Sequence, residues 1–506
     1  MRPDYALRRT VEGTLGEPLE RAGIIENVKR YNWLILLFAL VPGLAGHAQN
    51  LPDLGDTAQA DLSPQQERRI GEQIMREIRR DPDYIDDPEI TAYVQSVGQR
   101  LVAVSVDARQ EFTFFVVRDK TINAFALPGG FIGVHSGLIV SAQTESEFAG
   151  VMAHEISHVL QRHLARQLQA QNQLSPLGLI GLGLAILAGR SNPGLAQGAL
   201  IASQAAPVAA FLSFSREFER EADRVGFQIL QDGGYEPVGM SAFFTRLQQN
   251  TRLYDNNAPS YLRTHPLTVE RIADMQNRAQ DAPYKQRPDS IEFQLVRAKL
   301  RADEGRPEDA ATHFRTLLAE RRFATEATTR YGYAQALLRA KDYPAAEREV
   351  GLLRKSGPQN PMFETLATRV RTASGDLPGA EKIIAAAAQV YPDNLGVLYE
   401  YAEVLQSVGN PARAIDVLRA ILKQRPQDAR AYNMIAKSYA ALGRRTDQHR
   451  ALAEGYYLQG GLAAAVDQLA LAQKAGDGDF YTLSAIDARL RELRKLQQEE
   501  IKEKKK

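Results

Sequence analysis

His154, Glu155 and His158 fall inside "VMAHEISHVLQRH", Val151 to His163, as His-Glu-x-x-His. On a helix the two imidazoles lie four residues apart on one face and can reach one cation, with the carboxylate of Glu155 beside them. Zinc suits two imidazoles and one carboxylate, with one position left for water or substrate. A metal held there lowers the pKa of its water and polarises a peptide carbonyl, while Glu155 can take the water's proton and pass it to a leaving amine. The chain has 8 histidines in 506 residues, so the motif can also arise by chance. The rest of the sequence must supply the missing parts.

A third protein ligand is required. The metzincin arrangement needs a further glycine and histidine soon after the motif, and Gln161 and Leu164 stand at those places. A carboxylate from a later helix is the other solution. "SREFEREADRVGFQIL" (Ser215 to Leu230) provides one. Ser215 caps it, and Glu219 and Asp223 share a face. Glu219 is the expected ligand, and Asp223 is expected to orient a ligand histidine through its ring N–H. Glu217 and Glu221 compete, but they sit on other faces and are expected to be solvated. His163 lies off the ligand face and reads as structural. His135 reads as strand packing, and His313 and His449 as ordinary surface residues.

These side chains need a helix and something to hold it. Thr144 and Glu147 form a capping box, followed by apolar residues at helical spacing from Phe148 to Leu160, which predicts a helix starting near residue 145. Upstream, 111–119 and 129–140 are rich in β-branched and aromatic residues and predict two strands, with Pro128-Gly129-Gly130 turning between them. The edge of Phe131 to Val134 is then a candidate for pairing with an extended substrate. Ser63 and Pro64 mark the start of an earlier charged helix.

From about residue 290 the texture changes. Pro358, Pro392 and Pro426 repeat every 34 residues, as do Gly375, Gly409 and Gly443, and Ala346, Ala380 and Ala414. Three columns with one period predict helix-turn-helix units, with alanine where helices cross closely and proline closing each unit. The stretch "YYLQGGLAAAVDQLALAQ" keeps the composition but leaves the register, as a capping unit would, and residues 304–314 suggest another irregular unit. The expected fold class is α+β, mostly helical: a metalloprotease domain with a small sheet, followed by an all-α solenoid.

The N-terminus carries an address. Lys29 and Arg30 precede the apolar run "WLILLFALVPGLAG", and "GHA" offers a cleavage site after Ala48. Residues 174–214 are Gly- and Ala-rich with one charge, Arg190, and suggest buried helices or an apolar lid over a cleft. With no cysteine, disulfides and thiolate ligands are excluded. With 62 basic against 61 acidic residues and a net charge of +1, nothing points to nucleic acid as a partner. The expected organisation is an N-terminal extension and secretory signal at 1–48, a metalloprotease domain at 49–275, a linker at 276–290, repeats at 291–494 and a charged tail at 495–506.

His-Glu-x-x-His followed by Ser215-Arg216-x-x-Glu219-x-x-Ala222-Asp223 resembles the gluzincins of peptidase family M48. "NAFALPGGFIGVHSGLI" before the motif and "THPLTVERI" (Thr264 to Ile272) after it are similar to that family's strand region and closing motif. The repeats resemble tetratricopeptide repeats. The resemblance implies zinc bound by His154, His158 and Glu219, with one ion per chain, Glu155 as general base, and His265 as a fourth ligand that keeps the site latent. It also implies a periplasmic enzyme of a Gram-negative bacterium acting on stalled or misassembled outer-membrane proteins. It implies too that the repeats dock clients or the β-barrel assembly machinery, with peripheral membrane contact. The rival is a chaperone or adaptor with a latched or structural zinc site.

Overall fold

The computed structural model describes residues 62–106, 110–171, 214–251, 260–282 and 286–503. The expected signal with its cleavage after Ala48, nearly all of the apolar segment 174–214 and the last residues of the charged tail lie outside them. Among the described residues, no helix is long and apolar enough to cross a membrane.

The chain opens with α1 (Pro64–Ile78) and α2 (Pro88–Ala103). Both start on a side-chain cap with proline at the first position: Ser63 accepts from the Gln66 N–H, and Asp87 accepts from those of Glu89 and Ile90. Three strands follow, β1 (Thr113–Val117), β2 (Ala124–Leu127) and β3 (Phe131–His135), in the order β1-β3-β2. β3 runs parallel to β1 and antiparallel to β2. The sheet lies between helices. Phe115, Val117, Phe125 and Phe131 face Ile70, Ile74 and Ile78 of α1. Phe114, Val116, Ile132 and Val134 face the core shared with α2 and the motif helix.

This topology corrects two expectations. The segment 129–140 is not one strand: it leaves the sheet after His135 and forms a short helix, α3 (Ser136–Ser141). Phe131 to Val134 is not an edge either, because β3 is central and paired on both sides. The proline-glycine turn joins β2 to β3. Gly129 and Gly130 have φ of +76° and +83°, with Arg68 and Glu111 backbone atoms where a Cβ would sit, so the hairpin needs glycine at both. Ala124–Leu127 had not been read as a strand, being four residues long between a polar loop and a proline.

The motif helix is α4 (Glu145–Leu160). Thr144 caps it through the Glu147 N–H, but Glu147 reaches back to the Gln143 N–H, one residue before the cap. Glu147 also takes Arg246 in an ion pair. Every residue of α4 from Glu145 to His158 is buried. Then come α5 (His163–Gln171), α6 (Arg216–Asp232), α7 (Val238–Thr251), α8 (Ser260–Thr264) and α9 (Val269–Asp281).

The repeats are helical pairs: α10 (Ile291–Ala302) with α11 (Pro307–Ala319), α12 (Glu326–Arg339) with α13 (Tyr343–Ser356), α14 (Pro361–Ala373) with α15 (Leu377–Val390), α16 (Leu395–Ser407) with α17 (Pro411–Gln424), and α18 (Ala429–Ala441) with α19 (Arg445–Leu458). The three sequence columns acquire their physical roles. Ala346, Ala380 and Ala414 are fully buried. Gly375, Gly409 and Gly443 take positive φ at the turn inside a pair, and Lys341 holds the same conformation 34 residues earlier. The helical alternation continues through α20 (Leu462–Lys474) and α21 (Phe480–Glu503) after the side-chain columns stop.

The repeats pack on the protease elements. The largest apolar core includes Ile90 of α2, Ile156 of α4, Phe293 of α10 and Phe363 of α14. At its rim, the Lys299 Nζ lies 2.5 Å from the Asp87 Oδ2 and 2.5 Å from the Glu89 Oε2. Thr365 Oγ1 donates to Glu89 at 2.5 Å, and Arg369 adds a contact at 3.3 Å. Lys299 is buried, so it must be paired there. Lys299→Met leaves Asp87 and Glu89 enclosed with much of their positive charge gone; we expect a loss of about 3–5 kcal/mol in urea unfolding. Nearby, burial pushes the Glu400 carboxyl up to about 7, against the pull of Arg369 3.6 Å away. The folded chain keeps this proton where the unfolded chain releases it, at 4.5. Its stabilising effect is complete below that pH and disappears as pH rises through about 7. Glu400→Gln should flatten the fall of Tm over this interval.

Candidate metal centre

α4 and α6 cross where the motif sits. Gly226 makes this approach possible: a Cβ there would lie 3.1 Å from the Ala153 carbonyl oxygen and the His154 amide nitrogen. The crossing places the Glu219 and Asp223 side chains against His154 and His158. The loop after α8 brings in His265. One donor atom each from His154, His158, Glu219 and His265 lies within 4.8 Å of all the others, and all four residues are buried.

The ring nitrogens have defined orientations. Asp223 Oδ1 lies 3.1 Å from His154 Nδ1. The carboxylate favours a proton on this nitrogen, so His154 Nε2 is the atom that would face a cation once the ring is neutral. His158 is fixed through a longer chain: Arg166 donates to Glu221 Oε2 at 3.0 Å, His163 Nε2 lies 3.3 Å from that oxygen, and His163 Nδ1 lies 2.9 Å from His158 Nδ1. With His163 donating to Glu221, its Nδ1 accepts from His158, leaving His158 Nε2 with a lone pair. The two Nε2 atoms stand 3.0 Å apart. Two imidazole nitrogens converging in a buried space suit a cation that displaces the shared proton.

Titration follows from the same enclosure. Burial pushes the His154 imidazole down, but Asp223 and Glu219 outweigh it and raise it to about 9. Burial, then the neighbouring His154, hold His158 well below the usual range. Burial raises the Glu155 carboxyl, with His265 opposing. Neither oxygen of Glu155 accepts a hydrogen bond among the described residues. This unsatisfied buried carboxylate, beside two converging imidazole nitrogens and Glu219, fits a divalent metal and its water. When bound, such an ion activates water and polarises a carbonyl. Glu155 is placed to hold and move a proton, and its raised affinity for one suits that task.

His265 sits inside this arrangement. Its Nδ1 is 2.9 Å from Glu219 Oε1 and its Nε2 is 3.4 Å from Glu155 Oε1. Tyr261 stacks on it at 4.6 Å between centroids. Arg271 is a functional neighbour that the motif spacing does not mark. It makes a two-pronged contact with Asp223, at 2.6 and 2.8 Å, lies 2.6 Å from Glu219 Oε2 and donates to the Pro266 carbonyl at 2.7 Å. The available hint was its place in "THPLTVERI", one helical turn after the Thr268 cap. His163 lies outside the ligand cluster, as expected, and is buried against His158. Glu221, expected to be solvated, is its partner. Glu217 is exposed as expected, as is His313. His135 packs edge-on to Phe125, and His449 bonds Gln468.

A model of peptidase family M48 matches residues 88–279, and tetratricopeptide-repeat models match 301–370 and 371–438. The β-barrel assembly-enhancing protease of Escherichia coli (strain K12) is 32% identical over 461 residues, covering 91% of this chain and 94% of that one. The chain belongs to peptidase family M48. The corresponding protease of Yersinia pestis is 33% identical over 463 residues, covering 90% and 93% of the two chains. The mitochondrial metalloendopeptidase OMA1 of Schizosaccharomyces pombe is 26% identical over 267 residues, covering 51% and 74%. This M48 chain is a metalloendopeptidase with tetratricopeptide repeats, as its motifs implied.

His163→Phe keeps a ring against Phe218, which now stacks on His163 at 4.6 Å, but removes the nitrogen facing His158. We expect metal affinity to fall about 10- to 100-fold in a chelator competition, with the far-UV spectrum unchanged.

Proposed function

We propose that the chain is a zinc-dependent endopeptidase of the periplasm that hydrolyses misfolded or stalled outer-membrane proteins. The observation that carries the reading is the buried convergence of His154, His158 and Glu219 beside an unsatisfied Glu155. Zinc is favoured by a set of imidazoles and a carboxylate without thiolates. His154, His158 and Glu219 are the proposed ligands of one ion. Glu155 is the general base, and Asp223 positions His154. The expected secretory signal and the printed names of the bacterial relatives support the compartment and the client class. The repeats are proposed to dock clients or the β-barrel assembly machinery, with peripheral membrane contact nearby.

The substrate backbone has a place to pair. With β3 enclosed, the edge beside α4 is β2, Ala124–Leu127, and no strand pairs with its outer side among the described residues. An extended peptide added there would run along the helix carrying Glu155.

His265 favours a latched resting state, since it occupies the space between Glu219 and Glu155. The same observation supports the second reading, a chaperone or adaptor with a silent zinc site. One experiment separates them: degradation of casein or an unfolded barrel protein by wild type, Glu155→Gln and His265→Ala, with metal content by mass spectrometry. A latched enzyme loses about 10²- to 10⁴-fold in rate with Glu155→Gln while keeping zinc, and gains rate with His265→Ala. Three equally inactive proteins, each holding one zinc, would support the adaptor.

A further inference from the structure

Two confluent cavities of about 330 and 270 Å³ open where the protease elements meet the first repeats. They share Val140, Arg297 and Arg301. The first is closed by Ile122, Phe243 and Leu247 and adds Arg246; the second is walled by Phe314, Leu317 and Phe323 and adds His313 and Arg322. No carboxylate lines either one.

Most of the arginines are already neutralised. Arg246 Nη2 lies 2.7 Å from Glu147, Arg301 Nη1 lies 3.2 Å from Glu304, and Arg322 Nη1 lies 3.2 Å from Glu320. Arg297 differs. Its Nε donates to the Val140 carbonyl at 3.3 Å, and no carboxylate forms an ion pair with it among the described residues. It is half-buried in α10. Burial, then the neighbouring Arg301, push its pKa below the ordinary guanidinium range, with Asp289 and Glu147 acting in the other direction. A guanidinium cannot shed its proton to relieve this, and its two free nitrogens form a fork that matches a carboxylate.

The apolar walls narrow the choice of anion. Phosphate needs only the cations, whereas a carboxylate attached to apolar side chains uses both halves of the lining. This chain acts on polypeptides, and each cleavage creates a new C-terminus. We propose that these cavities bind the C-terminal carboxylate and last apolar side chains of a polypeptide, with Arg297 as the anchor and Arg301 beside it. The site lies one helix away from the metal centre. Phe243 of α7 lines the cavity, and the next residue, Phe244, stands 5.9 Å from the His154 ring. A chain end held there keeps its client close to the cleavage site. The inference rests on the assigned peptidase activity but not on the identity of the client.

The test is fluorescence anisotropy on the full chain with a dye-labelled heptapeptide ending in Leu-Phe, as the free acid and as the C-terminal amide. Mass spectrometry after the titration verifies that the probe is intact. The free acid should bind at least about tenfold more tightly than the amide. Arg297→Gln should reduce that preference to near unity, leaving the amide unaffected. Arg301→Gln, at a half-exposed side chain, should weaken acid binding by a few-fold and decides the matter if Arg297→Gln fails to fold. Equal binding of acid and amide, or no binding of either, overturns the proposal. So does inorganic phosphate displacing the probe as well as unlabelled free-acid peptide does at the same concentration, since that marks a simple anion site. The same acid-over-amide preference should persist in Glu155→Gln, which separates this result from the function of the metal site.

Discussion

One buried guanidinium ties the acidic half of the metal centre together. Arg271 grips Asp223 with two nitrogens, lies against Glu219 and holds the Pro266 carbonyl in the loop that carries His265. Glu219 and Asp223 are both buried, and two carboxylates enclosed so close together repel unless a cation lies between them. Burial alone would raise both; the positive charge around them, with Arg271 on Asp223 and His265 and His154 on Glu219, keeps them ionised instead. Ionised, they can orient His154 and face a metal. Arg271 therefore couples three things: Glu219, the Asp223 carboxylate beside His154, and the position of the loop that carries His265.

The motif helix is supported from its other end by the repeats. The Glu145 carboxylate caps the first repeat helix through Ser290, and Tyr93 of α2 shares the same carboxylate. Lys299 and Arg369 bring the repeats' cations to the N-terminal end of α2. Buried ion pairs of this kind add little net stability, but removing one partner is expensive, so they define a single docking geometry. A catalytic helix held this way is insulated from domain motion. The segment with His265 is held by Arg271, by the Tyr261 stack and by its contacts with Glu219 and Glu155.

The candidate metal cluster, the carboxylate beside it and the repeat period were legible in sequence because each is a local rule. Two histidines four apart on a capped helix must share a face, and a 34-residue period with glycine at a turn and alanine at a crossing has few other meanings. Glu219 was preferred over Glu217 and Glu221 by helical phase alone, and the fold buries it while leaving Glu217 exposed. The strand order was not legible. β1 and β3 pair in parallel across an intervening hairpin, which depends on which faces the helices cover. Nor was the role of His163: it lies only five residues past His158, but its use depends on Glu221 and Arg166, 58 and 55 residues away from their partners in the contact.

Sequence by itself determined the chemistry available, the helix that carries it and the modular order of protease followed by repeats, because spacing along a helix is fixed by backbone geometry. Only the tertiary structure decided how the pieces meet. The approach of α4 and α6 at Gly226, the two-carboxylate grip of Arg271, the central position of β3 and the placement of Arg297 between the two cavities all depend on residues far apart in the chain sharing one enclosed volume. There the cost of burying charge, rather than local preference, selects the arrangement.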